Sequence, residues 1–218
     1  MRSRIVSGTF ISFEGPDGAG KTSAMKAIVA KLQPTIGQKL TVTREPGGNP
    51  ISESIRSIIL DRKNTAMDYR TEALLYAAAR RQHLAETILP ALANNQIVLC
   101  DRYVDSSVAY QGAGREIGEA AVAEMNQFAT DGLLPALTIY FDVPATVGLK
   151  RIKAHRNPAK VDRLDVEQTA FHDRVRAAYL RLQTAEPDRI KLIDATQSPD
   201  QVIKEALALI QSILPKTI

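Results

Sequence analysis

"FISFEGPDGAGKT" occupies Phe10 to Thr22. Four apolar or hydroxyl residues and a glutamate lead into a loop with glycines at 15, 18 and 20, and the loop ends on Lys21 and Thr22. Residues 15–22 fit G-x-x-x-x-G-K-[ST]. In that spacing the glycines let backbone N–H groups turn towards phosphate oxygens, the lysine reaches the outer phosphates and the hydroxyl ligates Mg²⁺. A helix beginning at Lys21 adds its positive end. The nucleotide cradle is therefore Gly15, Pro16, Asp17, Gly18, Ala19, Gly20, Lys21, Thr22 and Ser23. Strand, phosphate loop and helix in succession predict an α/β fold of the P-loop NTPase type that binds ATP and Mg²⁺.

Outward from the loop the same alternation continues. Short apolar runs lie at 10–14, 40–45, 96–101, 137–143 and 190–194, and helical segments at 21–32, 51–60, 69–92, 116–128, 144–155, 166–184 and 198–213 separate them. Nearly continuous apolar strands with helices between them predict a five-stranded parallel sheet covered on both faces. "SPDQ" (198–201) reads as a capping box, with Ser198 as N-cap, Pro199 at the first helical position and Gln201 reaching back. One stretch, "AHRNPAKVDRLD" (154–165), is polar and basic and is broken by Pro158, which suits a short lid.

Length and composition set further bounds. The chain has 218 residues, 44% of them hydrophobic, enough for one domain (1–218) with a real core. No stretch has the roughly 18 apolar residues of a membrane span. A single cysteine, Cys100, cannot close an internal disulfide, so a cytoplasmic location is expected. The net charge of +4 is scattered rather than gathered into a nucleic-acid-binding block. Its arginines recur inside motifs, which favours a small anionic ligand over DNA, RNA or a membrane.

"IVLCD" (97–101) puts Asp101 at the end of a buried run, where an NTPase holds its magnesium with the Thr22 hydroxyl. Arg44 in "TREPGG" and Arg102 in "CDRYVDSS" follow the ends of two strands. Residues at the carboxyl ends of parallel strands converge on the ligand crevice. Two guanidinium groups there suit a second phosphate; the alternative is loop-bracing pairs with Glu45 and Asp101. No N-K-x-D guanine-reading sequence occurs, which weighs against a GTPase.

"EGPDGAGKT", "TREPGG", "TEALLYAAARRQH" and "CDRYVDSSVAYQG", in this order and at this separation, closely resemble the thymidylate kinase family, and "DATQSPDQV" is similar to it as well. The resemblance runs from about residue 8 to 210 and implies the nucleoside monophosphate kinase variant of the fold. It also implies transfer of the γ-phosphoryl group of ATP to dTMP, both of them small-molecule substrates, and a homodimer. By the same resemblance Asp17 and Tyr110 contact the deoxyribose, and Arg44 and Arg102 hold the acceptor phosphate. Tyr76 stacks on thymine, Arg80 bonds a base carbonyl, and Ser107 and Gln111 read the base edge. Helical spacing agrees, since Tyr76 and Arg80 lie four apart, as do Ser107 and Gln111. Core packing for Tyr76 and a helix-start hydroxyl for Ser107 are the alternatives.

A phosphate acceptor is already anionic near neutral pH and needs little general base. Catalysis then rests on positioning and on neutralising charge with Mg²⁺, Lys21 and arginines. Some family members carry an arginine within the phosphate loop; Pro16, Asp17, Gly18 and Ala19 leave no room for one here. The missing charge is expected from the lid, with Arg156 preferred, then Arg163, then Arg151. Two rival readings stay open: a deoxynucleoside kinase acting on thymidine with Glu45 as its base, and a nucleotide-binding module without catalysis.

Overall fold

The computed structural model describes residues 7–155, 163–164 and 167–214. Five parallel strands form one sheet in the order β2-β3-β1-β4-β5: β1 Thr9–Glu14, β2 Leu40–Arg44, β3 Ile97–Asp101, β4 Leu137–Asp142 and β5 Ile190–Asp194. The crossover helices are α1 Lys21–Ile36, α2 Pro50–Leu60, α3 Tyr69–His83, α4 Leu89–Ala93, α5 Val104–Ser107, α6 Glu119–Thr130, α7 Ala145–His155, α8 Thr169–Ala185 and α9 Pro199–Ile213.

Strand alternation sorts the core into two faces. Ile11, Phe13, Leu99, Ile139 and Phe141 pack with Ile28 and Leu32 of α1 and with Val202, Ala206 and Ile210 of α9. The other face presents Phe10, Val98 and Cys100 to Leu84, Ile88 and Leu92, and Tyr140 to Val175 and Tyr179 of α8. This second face also carries polar groups. Ser12 and Thr138 share a hydroxyl hydrogen bond of 2.8 Å, and Glu14 is wholly buried beyond them.

Four local departures from the sequence reading have physical causes. The predicted helix 69–92 is interrupted by a π-type turn at Leu84–Ile88. Pro90 has no N–H to give the preceding turn, and the wider hydrogen-bonding pattern accommodates it. α1 continues to Ile36, four residues past its expected end, through Pro34. The carbonyl deprived of a partner there is that of exposed Ala30, which water can serve. α6 begins at Glu119 rather than 116 because Gly118 adopts φ 111°, outside the helical region. Val104–Ser107 and the π-type turns of Val108–Gly114 form a helical segment absent from the predicted helix ranges, which had only the four-residue spacing of Ser107 and Gln111. It is buried nearly all round, so it has no amphipathic stripe, and its glycines depress helix propensity. The capping box is half present: Ser198 Oγ accepts from Gln201 N, but the Gln201 side chain donates to Glu205 instead of reaching back.

Candidate active site

β1, β2 and β3 end at the same edge, and the residues after them line one cavity of about 240 Å³. Asp17, Lys21 and Thr22 stand on its loop side; Tyr76, Arg80, Ser107 and Gln111 stand at the other end, with Arg44, Asp101, Arg102 and Tyr110 among the groups between them. The expected donor and acceptor residues are thus brought to one cleft.

The phosphate loop is pressed against α7. A Cβ on Gly18, which has φ 78°, would lie 2.2 Å from the Gly148 carbonyl oxygen, and a Cβ on Gly148 would lie 2.6 Å from the Asp17 oxygen. Gly148 therefore sets the height of the loop, a role the sequence reading missed. Its signal was a lone glycine inside a helical pattern.

Lys21 is buried, and Nζ donates to the carbonyls of Gly15 at 2.8 Å and Pro16 at 3.0 Å. Burial, reinforced by the nearby charge of Arg102, lowers its pKa to about 8. Thr22 Oγ1 donates to Asp101 Oδ2 at 3.2 Å, while Asp101 Oδ1 is buried without a protein partner. A buried carboxylate oxygen in need of a partner, next to a hydroxyl, is a hard-oxygen donor set that fits Mg²⁺. Ser23 follows on the exposed side of the first turn of α1.

Arg102 sits in left-handed backbone at φ 69°, with its N–H donating to Phe13 O at 2.9 Å. That conformation costs a non-glycine residue about 1–2 kcal/mol, and here it turns the side chain back over the loop. Nη1 donates to Gly15 O (3.0 Å) and Ser106 Oγ (3.1 Å); Nη2 donates to Asp17 Oδ1 (2.8 Å) and Tyr110 OH (3.2 Å). Tyr110 OH in turn donates to Asp17 Oδ2 at 2.9 Å. The two residues expected at the deoxyribose therefore meet, tied together by Arg102.

Behind Arg102 lies Glu14, which was not singled out in the sequence. Its carboxylate accepts from Tyr103 N (2.7 Å), Ser106 Oγ (2.5 Å) and Tyr179 OH (2.8 Å). Burial, with the charge of Asp105 added, raises its pKa to about 7. A glutamate at the end of an apolar strand gives no sign in the sequence of such a backing network.

The remaining arginines have distinct settings. Arg44 pairs with Glu53 at 2.8 Å, with both side chains over 40% exposed, so it is held weakly. Glu53, rather than Glu45 or Asp101, is its partner. Arg56 of α2 also lines the cleft and donates to Pro46 O at 2.8 Å. The sequence reading did not find it, because "SIRS" looks like any solvated helix face. Arg80 is buried and bonds Glu45 through Nε (2.7 Å), Ser107 Oγ (3.0 Å) and Asn126 through Nη1, and Tyr103 O (3.0 Å) through Nη2. These contacts use four of the five donors a guanidinium owns. Glu45 also meets His83 Nδ1 at 2.9 Å, so it braces α3. Tyr76, one turn before Arg80, lines the cleft as well as touching the core.

Of the three lid candidates, Arg156 lies outside the described residues. Arg151 donates to Ala195 O at 3.0 Å and to Gly18 O at 3.4 Å, behind the loop. Arg163 donates to Ile59 O at 3.2 Å and to Glu72, a setting at the acceptor end and away from the phosphate loop. In this conformation Arg163 is engaged by the Glu72 carboxylate, and Arg151 is held by two carbonyls, one of them that of Gly18 in the phosphate loop.

A family model described as thymidylate kinase matches residues 13–206. A thymidylate kinase of Levilactobacillus brevis is 78% identical over 206 residues, covering 94% of this chain and 96% of that one. One of Lactiplantibacillus plantarum is 67% identical over 211 residues, covering 97% and 95%. The crystal structure of thymidylate kinase from Ehrlichia chaffeensis superimposes with a TM-score of 0.76 at 30% identity, covering 94% of this chain and 99% of that chain.

Proposed function

The chain belongs to the thymidylate kinase family and transfers the γ-phosphoryl group of ATP to dTMP; we propose the division of labour within its cleft that follows. The observation that carries it is the continuity of one cavity from Lys21 and Thr22 to Tyr76 and Gln111. Donor phosphates rest on loop N–H groups and Lys21. Thr22 and Asp101 hold Mg²⁺, which when bound neutralises charge on the donor phosphates. Arg44 and Arg56 grip the acceptor phosphate, and Arg102 bridges it to the loop. Asp17 and Tyr110 form the sugar wall. Tyr76 stacks on the base, and Arg80, Ser107 and Gln111 face its edge. The acceptor supplies its own anionic oxygen, so no side chain has to remove a proton.

The test is release of ADP with dTMP, dUMP, UMP, dCMP or thymidine as acceptor. The expected result is turnover that depends on dTMP and on Mg²⁺, and Arg44→Ala and Arg56→Ala each raise KM for dTMP more than they lower kcat. Turnover with thymidine but not dTMP would support a nucleoside kinase, and no stimulation by any acceptor would support a binding module.

A homodimer is the second part of the reading. Tyr69 and Leu74 on α3 and Phe128 on α6 are exposed, Phe128 to 88%, and an apolar hollow lined by Ala73, Ile117, Val122 and Met125 lies between these helices. A second copy covering that face would remove the apolar area from water. Light scattering should give twice the chain mass, and Phe128→Glu with Leu74→Glu should shift it to the monomer. A monomeric parent protein would overturn this. Cytoplasmic residence is supported by the one free cysteine, Cys100, and by the lack of any helix among the described residues long and apolar enough to cross a membrane.

A further inference from the structure

Glu72, in the first turn of α3, is fully buried. Everything around its carboxylate is a donor. Gln111 Nε2 donates to Oε1 at 2.9 Å and Arg115 Nε to the same oxygen at 3.3 Å; Arg115 Nη2 lies 3.2 Å from Oε2, to which Arg163 Nη2 also donates. None of these neighbours gives the carboxylate a reason to do anything but accept.

That settles which way the Gln111 amide points. Its nitrogen must face Glu72. Flipping the amide would lose a charge-assisted hydrogen bond and set two oxygen lone pairs against each other in a buried site. Among the described residues the Gln111 side chain makes no other hydrogen bond, and Gln111 lines the cleft beside Ser107 and Tyr76. The nitrogen keeps its second hydrogen, and Oε1 is the acceptor left for a ligand. A base lying on Tyr76 is met by that acceptor and by the one donor that Arg80 has left. Thymine has an N3–H and a neighbouring carbonyl, which match. Cytosine has a bare N3 and an amino group there, which do not.

We propose that Glu72 is a specificity-positioning residue, which by fixing the amide of Gln111 makes the pocket select thymine over cytosine. This rests on the role given to Gln111 at the base edge. In Glu72→Gln the partner can donate as well as accept, so Gln111 is free to flip. A hydrogen-bonding site that loses its fixed polarity loses discrimination, here roughly tenfold or more in the ratio of kcat/KM for dTMP to that for dCMP.

The experiment measures that ratio in the parent enzyme, Glu72→Gln, Gln111→Leu and the double variant. The ratio should fall in both single variants, and Glu72→Gln should change it no further once Gln111 is Leu. An unchanged ratio in Gln111→Leu overturns the proposal even if Glu72→Gln fails to fold. So does a Glu72→Gln enzyme that slows equally on both substrates, or one that shifts the ratio just as much in the Gln111→Leu background. A parent enzyme that does not turn over dTMP overturns the reading of the cleft beneath it instead.

Discussion

Lys21→Met should lower kcat by about 10²–10³-fold while the protein stays folded, the loss typical of removing one preorganised charge from a developing transition state. Among the described residues no carboxylate pairs directly with the ammonium; it is parked on the carbonyls of Gly15 and Pro16. Carbonyls hold it in place without an ion pair, and the carboxylates of Asp17, Asp101 and Glu14 act on it only through space. Methionine has a similar length and carries no charge, so single-turnover kinetics with ATP and dTMP isolates the electrostatic part.

The same substitution has a signature in stability against pH. The folded pKa of Lys21 is lowered from 10.5 to about 8, first by burial and then by Arg102. Below about 8 the lysine is charged in both folded and unfolded chains, and the folded state bears the full cost. Between about 8 and 10.5 the unfolded chain holds the proton more tightly, so the ligand-free parent enzyme gains stability as pH rises. The variant lacks this gain. The Tm difference in favour of Lys21→Met should therefore shrink from pH 7 to pH 10, and a difference that stays constant would contradict the buried, cationic lysine.

How much of this could be read from the chain depends on whether each signal is local. The loop at 15–22 was legible because its chemistry needs fixed residue types at fixed spacing, and Asp101 because such a loop calls for a magnesium-holding carboxylate at a neighbouring strand end. The strands matched to within a residue or so because their apolar runs are bounded by polar ones. Val104–Gly114 was not delimited as a helix beyond the four-residue spacing of Ser107 and Gln111, since a segment buried on nearly every side shows no period. Glu14, Glu72 and Gly148 were missed for another reason. Each acts through a residue far away in sequence: Glu14 through Ser106, Glu72 through Gln111 and Gly148 through the backbone of Asp17. Arg80, expected at the base by resemblance, lines the cleft, yet its pairing with Glu45 could not be seen in the sequence. Breaking a buried pair of that kind costs about 3–5 kcal/mol, so substitution there tests folding as much as base recognition.

Arg102→Ala should abolish most turnover, with kcat down about 10²–10³-fold and KM for dTMP raised. Arg102 touches both halves of the site: Gly15 and Asp17 on the donor loop, Tyr110 on the sugar wall. Losing it frees Asp17 and Tyr110 to move apart and leaves the Asp17 carboxylate near the acceptor without its cation. That carboxylate would then repel the phosphate that Arg102 drew in. The backbone supplies an independent check. Residue 102 is held at φ 69° by the bond from its N–H to Phe13 O and by the contacts of its side chain. Alanine there keeps the strain and loses the contacts, whereas glycine loses the contacts and the strain together. Arg102→Gly should therefore be more stable than Arg102→Ala by about 1 kcal/mol, while the two are equally slow. Denaturant unfolding of both variants measures the first quantity and steady-state kinetics the second. Equal stability would mean that the left-handed turn relaxes once the guanidinium is gone. A fast glycine variant would mean that the charge at this position is dispensable.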